Sequence, residues 1–174
     1  MKKTLIMITL VALTACAPRI SIHTDFDKAA DFKQYKTFNW SSEVDELNKA
    51  YPMYDNTLNR KRIKNAIQSE LTKRNYQLND QDPDLLVDFH ILVEDKSGTV
   101  MHDMGRYRYW RDYELTLYEY KQGTLVIHLV DGGKKQLVWQ GSATAVLDEK
   151  PTKVEEKINI TVAKIFEKYQ HSAF

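Results

Sequence analysis

The sequence predicts an α+β fold, a two-layer sandwich of a mixed, mostly antiparallel sheet of about five to six strands with two amphipathic helices on one face. Three observations lead there. Gly123–Leu147 alternates apolar and polar residues with period two on both sides of Asp131–Lys135, as in a hairpin with one buried face. Thr57–Arg74 and Pro151–Tyr169 each repeat apolar residues every three or four positions, giving one stripe per helix. Leu85–Glu94, LLVDFHILVE, is apolar enough for a central strand.

The elements follow in order. Arg19–Phe26 alternates Ile20, Ile22, Thr24 and Phe26 against Ser21, His23 and Asp25, a first strand. Lys36–Trp40 is a second, with Phe38 and Trp40 on one face, and Ser41–Asn56, polar and with Pro52, is a surface connection or a weak helical turn. The first helix buries Ile63, Ala66, Ile67, Glu70 and Leu71, leaves Arg60, Lys61, Arg62 and Lys64 on a solvated face, and stops at Asn75. Gln81–Asp84 is a turn into the central strand, whose Leu86, Asp88, His90 and Leu92 face away from Leu85, Val87, Phe89, Ile91 and Val93.

Lys96–Tyr113 breaks the alternation, and Glu114–Lys121 resumes it with Leu115, Leu117 and Glu119 opposite Tyr118 and Tyr120. In the hairpin that follows, Leu125, Ile127, Leu129, Leu137, Trp139, Ala143, Ala145 and Leu147 face inward. Its turn glycines supply the positive φ of a reversal. Gly141, Ala143 and Ala145 leave room for a helix to approach. Thr152 and Glu155 have the spacing of a capping box for the second helix, whose stripe is Val154, Ile158, Val162, Ile165, Phe166 and Tyr169.

Ten Tyr, 6 Phe and 3 Trp in 174 residues supply ample core for one domain, residues 20–174, and no linker or repeat divides it. Lys plus Arg total 25 against 24 Asp plus Glu, and removing Lys2 and Lys3 with a leader leaves 23 against 24. That balance supports no nucleic-acid partner. The single cysteine, Cys16, rules out an intrachain disulfide and a cysteine-based zinc site.

Met1–Cys16 has a basic start and an apolar run, Leu5–Leu13, shorter than the ~20 residues that cross a bilayer, so residues 1–15 read as a removable signal peptide. Leu13-Thr14-Ala15-Cys16 resembles the lipobox of bacterial lipoproteins, in which the cysteine is lipidated and becomes residue one. The alternative is an ordinary signal peptide with Cys16 an incidental thiol; the lack of any other cysteine favours lipidation. Two or more acyl chains make a stable membrane anchor, and residues 16–19 form a short tether. Ala17, where inner-membrane lipoproteins carry aspartate, points to the outer membrane of the cell envelope.

The signal and Cys16, Asp31-Phe32 with Tyr35-Lys36-Thr37-Phe38 and Trp40, Pro83–Val87, Gly123–Ile127 with Leu129-Val130-Asp131, and Leu137–Gly141 together carry a resemblance. The chain resembles a bacterial envelope lipoprotein family of unknown function, domain of unknown function four-one-three-six. The resemblance implies architecture and location, and no activity or cofactor. Many members have a Gly/Trp/Tyr-rich segment where this chain has Gly105–Tyr113, with arginines here in place of most glycines.

No catalytic constellation is legible. Ser142 in Gly141-Ser142-Ala143 lacks the second glycine of a nucleophile elbow and lies mid-strand, so the chain reads as no enzyme. His23, His90 and His128 fall on strands, and some would converge with Asp88 if those strands are neighbours. Met101, His102 and Met104 are soft ligands close in sequence, a weak metal candidate that methionines packing under a loop explain as well. Arg106, Tyr107, Arg108, Tyr109 and Trp110 have the composition of a binding hot spot for an envelope protein, glycan or lipid headgroup. An edge strand of alternating Tyr and Arg explains them equally. The function expected is a non-catalytic envelope lipoprotein that binds a partner protein or envelope component. The alternative is small-ligand, lipid or metal binding in a pocket between helices and sheet.

Overall fold

The computed structural model describes residues 20–42, 47, 49–107 and 110–173, without the side chains of 103–107 and 110–114. The signal peptide, Cys16 and Ala17 lie outside the described residues. Six strands form one sheet: β1 (Ser21–Phe26), β2 (Thr37–Trp40), β3 (Gln77–Leu78), β4 (Leu85–Tyr107), β5 (Trp110–Asp131) and β6 (Leu137–Leu147). Their order is β1-β6-β5-β4-β2-β3. β1, β6, β5 and β4 pair antiparallel, whereas β2 pairs parallel to both β4 and β3. The sheet is therefore mixed and mostly antiparallel, and β4 lies inside it.

Helices α1 (Thr57–Lys73) and α2 (Val154–Phe166) are the two expected from the stripes. Asn56 caps α1 by accepting from the Asn59 amide at 2.9 Å. Asn75 ends it in the left-handed region, φ 67°. The proposed capping box of α2 does not form. Lys153 is the N-cap, at φ 52° and with no side-chain bond to the helix, so Thr152 lies outside the capping position.

The core lies between helices and sheet, where Ile67, Leu71, Leu85, Val87, Ile127, Leu129, Val162, Ile165 and Phe166 are fully buried. Each such side chain contributes on the order of 1.5–3 kcal/mol of transfer free energy. Trp139 lies tilted against Phe166 and meets Tyr169 edge-on, with ring centroids 5.5 and 5.0 Å apart. Gly141 is required here, because a Cβ would sit 2.5 Å from Ile165 Cγ2 and 2.4 Å from the Trp139 ring.

Several expectations are corrected by the packing. A register shift between Leu129 and Val130 turns both Val138 and Trp139 inward and leaves Leu137 45% exposed. Neither turn glycine occupies the left-handed region, which falls to Lys135 at φ 57°. Gly132 is instead needed for close approach, since a Cβ would stand 2.1 Å from the Pro83 carbonyl oxygen. Arg60 is not on a solvated face. It is buried with Asp55, donating from Nε at 2.5 Å and from Nη2 at 2.7 Å, and its guanidinium lies over Phe89.

Two acids, Asp131 buried and Asp84 half-buried, tie the loops beside this core. Asp131 Oδ1 accepts from the Gly133 and Lys134 amides at 2.9 and 2.8 Å, and Oδ2 from the Tyr35 hydroxyl at 2.8 Å. The Lys134 amide leads in holding the Asp131 carboxyl below the usual range, against the effect of burial. Burial, then Asp131, pushes the Tyr35 phenol up to about 12. Burial pushes Asp84 upward, but donors from the Lys36 amide, the Thr37 hydroxyl and the Thr37 amide outweigh it and hold the carboxyl low.

Lys96–Tyr113 is the largest departure from the sequence reading. β4 does not break at Lys96, and β5 begins at Trp110, so the two strands run past the last β6 partner, Leu147 opposite Lys121, as a two-stranded arm. No third strand and no helix covers the arm among the described residues, so nothing imposes a one-sided apolar pattern.

Candidate functional site

The helix layer meets the sheet tightly at one end and stands away from it at the other. Along β4, Leu85, Val87 and Phe89 are buried, but Ile91 is only half-buried. Along β5, Leu129 and Ile127 give way to a half-buried Leu125 in the same fashion. On α2, Val162, Ile165 and Phe166 are buried, whereas Ile158 and Val154, one and two turns earlier, are not. The result is a cleft of about 350 Å³.

Its floor is made of small or aliphatic sheet residues, Ala143, Ala145, Leu125 and Ile91, and its walls of Ile63 from α1 and Val154, Ile158 and Thr161 from α2. Met53 and Tyr54, from the connection before α1, close one side, and Ile20 another. The polar groups gather at the rim. Lys157 pairs with Asp148, whose backbone carbonyl accepts from the Tyr54 hydroxyl at 3.0 Å, and Lys164 lies on the same helix. Small side chains on the floor and an apolar wall leave a volume that no side chain of the described residues fills. Such a lining favours an apolar ligand with a polar or anionic end.

The opposite face of the sheet brings together residues that the alternation pattern had set on one side. Asp88 faces His128 directly across the β4–β5 pair, and His90 follows two residues along the same strand. His90 Nε2 stands 2.9 Å from Asp88 Oδ2, and the two imidazoles are 5.4 Å apart. Asp88 is buried and His90 exposed, with His128 between. Burial, then the neighbouring His90, lowers the His128 pKa, and Asp88 opposes them. His23 lies on β1, opposite Ser142, and is not part of this group.

Met101 and His102 are consecutive residues of β4 and so project to opposite faces of the arm, which separates them as ligands. Met104 and the side chains of Arg106, Tyr107 and Trp110 lie outside the described side chains, and Arg108 and Tyr109 outside the described residues. Arg106, Tyr107 and Trp110 belong to the paired strands at the end of the arm, with Arg106 opposite Arg111 and Tyr107 opposite Trp110. Nearer its root, Met101, Leu115 and Leu117 share one face and are 62%, 62% and 77% exposed. On the other face, Tyr118 covers Gly98, where a Cβ would sit 2.4 Å from the ring. The Ser142 hydroxyl lies in β6 and donates to the His23 backbone carbonyl at 3.5 Å. Among the described residues no helix is long and apolar enough to cross a membrane.

An α+β sandwich with an open outer sheet face and a helix-side cleft is the class of architecture these residues define. Residues 22–169 match the family described as domain of unknown function DUF4136, and the chain belongs to that family. Among solved structures the chain is similar to a PDZ domain protein from Parabacteroides distasonis, with 16% identity and a TM-score of 0.57 over 90% of this chain and 37% of that one. It therefore spans little more than a third of that protein's length. It is also similar to a PelC dodecamer from Paraburkholderia phytofirmans, with 10% identity and a TM-score of 0.50 over 88% and 99% of the two chains. Identities this low bear on the fold alone. No curated protein matches the chain.

Proposed function

We propose that the protein is a non-catalytic, lipid-anchored envelope protein, attached to the outer membrane through Cys16, whose helix–sheet cleft holds an acyl chain. The observation that carries this reading is the apolar cleft of about 350 Å³ with its lysine-bearing rim. Its size is at the lower end of the range of about 300–1,000 Å³ for small-ligand sites, enough for one chain and too small for a folded partner. At ~0.8 kcal/mol per buried CH₂, eight methylenes contribute roughly 6 kcal/mol before the cost of association. The ammonium of Lys164, a half-buried residue of the cleft lining, suits a carboxylate or phosphate at the chain's end.

Two sources of acyl chain fit. One is lipid from the bilayer. The other is the lipid on Cys16 itself, because Ile20 lines the cleft and four residues of extended chain span at most about 14 Å. Native mass spectrometry of two preparations separates them: the lipidated chain, and the same chain begun at Ala17. An added lipid mass on the Ala17 form, removed by Ile158→Trp, supports an exchangeable ligand. A clean mass on the Ala17 form, with cleft residues protected only in the lipidated form, supports the chain's own lipid. Clean masses with no protection in either form contradict the reading. Separately, Cys16→Ser is expected to abolish palmitate labelling and membrane retention.

A second reading, binding of a partner protein or envelope component through the arm, is favoured by the exposed face of Met101, Leu115 and Leu117. Crosslinking from membranes with Leu115→Ser/Leu117→Ser tests it; an unchanged set of crosslinked proteins removes the arm from consideration.

A further inference from the structure

We propose that Asp88, His90 and His128 form a binding site for a divalent transition-metal ion, zinc first, on the sheet face opposite the helices. One ligand atom from each of the three lies within 4.8 Å of the others. Tetrahedral zinc with bonds of about 2.0–2.2 Å holds its ligands about 3.4 Å apart, so small side-chain rotations on a rigid sheet bring these three into range. The backbone does the positioning: i, i+2 spacing puts Asp88 and His90 on one face, and the β4–β5 register sets His128 opposite Asp88.

The second contacts favour the same arrangement. Asp88 Oδ1 accepts from the Phe89 amide at 2.8 Å, which fixes the carboxylate and turns Oδ2 toward His90. A buried carboxylate beside two imidazoles supplies one anionic oxygen and two neutral nitrogens on one face, a donor set that a divalent ion can share. Two imidazoles and a carboxylate suit zinc and its borderline neighbours, and not calcium or magnesium, which take oxygen ligands. The half-exposed edge at His90 leaves a fourth position open to water or to a ligand from outside the chain. His90 is near-surface and His128 partly shielded, so entry is from the His90 side.

The test uses the full chain purified in detergent, with any purification tag removed and bound metal stripped by chelation. Calorimetric titration with Zn²⁺ is expected to show one ion per chain. His90→Ala and His128→Ala are each expected to weaken binding at least tenfold, and His23→Ala and His171→Ala to leave it unchanged. Substitution with Co²⁺ adds a second readout, the visible ligand-field bands of a low-coordinate site, lost in the same two variants. His90 is 47% exposed at its side chain, so His90→Ala leaves the core intact, and a thermal melt of the metal-free variant confirms that it is folded before titration. No uptake of Zn²⁺, or uptake of equal strength in His90→Ala and His128→Ala, would overturn the assignment.

Discussion

The two ends of the helix–sheet interface are built from the same elements and do opposite things. At one end Trp139, Phe166, Tyr169 and Ile165 close over Ile127 and Leu129, and Gly141 lets the helix down onto the strand. At the other, Ala143 and Ala145 sit on the floor, but Ile158 and Val154 do not come down to meet them, and the cleft remains. Small residues on a strand therefore admit a helix only where something pulls the helix in. At the closed end that pull comes from large rings and from Arg74, which donates to the Phe166 carbonyl at 2.7 Å while its guanidinium lies over the Phe166 ring. At the open end the helix begins at Lys153 without a side-chain cap, and a salt bridge at the rim takes the place of buried contact.

The difference can be broken most severely at the closed end. Trp139→Ala removes the largest fully buried side chain, and about 3–5 kcal/mol of stability should be lost in denaturant unfolding. Gly132→Ala drives a Cβ into the Pro83 carbonyl, a backbone group that cannot rotate away, and should cost about 1–3 kcal/mol by the same measurement. Tyr35→Phe leaves Asp131 one donor short and should cost about 1–2 kcal/mol.

That last contact also carries a pH signature. The folded pKa of Asp131 is held below its unfolded value, so its stabilisation is present above the ordinary aspartate range and lost as pH falls through the folded pKa. The stability gap between wild type and Asp131→Asn should be widest near pH 7 and shrink by pH 3 in parallel denaturant titrations. A gap independent of pH would mean that packing, not charge, is what the carboxylate supplies. At the open end the effects on stability should be smallest. Ile158→Ala, half-buried at the cleft wall, should cost only about 1 kcal/mol in the same unfolding assay.

The sequence made the closed end far more legible than the rest. Period-two and period-3.6 patterns exist because one face meets water and the other does not, so α1, α2, β6 and the inner half of β4 were readable where they are buried. The arm was not. Both of its faces meet solvent, so Lys96–Tyr113 shows no alternation, although its strands pair residue for residue as far as Asp103 and Tyr113. The inward turn of Val138 beside Trp139 and the burial of Arg60 depend on partners distant in sequence, as does the failure of Thr152 to cap. For Asp88, His90 and His128 the shared face was visible in the alternation, but their meeting rests on a register that single strands do not encode. A pocket between helices and sheet was only an alternative, since Gly141, Ala143 and Ala145 read as room for a helix to approach; its position at one end depends on where the helices lie, and Met53 and Tyr54 come from a stretch that looked like surface.

Uptake of an apolar chain at the open end is the central property to measure. Titrating the chain begun at Ala17 with a fluorescent fatty acid, beside Ile158→Trp and Trp139→Phe, tests this in one experiment. Saturable binding of one ligand per chain, at least tenfold weaker in Ile158→Trp and unchanged in Trp139→Phe, is the predicted result. Binding that Ile158→Trp leaves untouched would contradict the account, as would no binding to either the Ala17 form or the delipidated full chain.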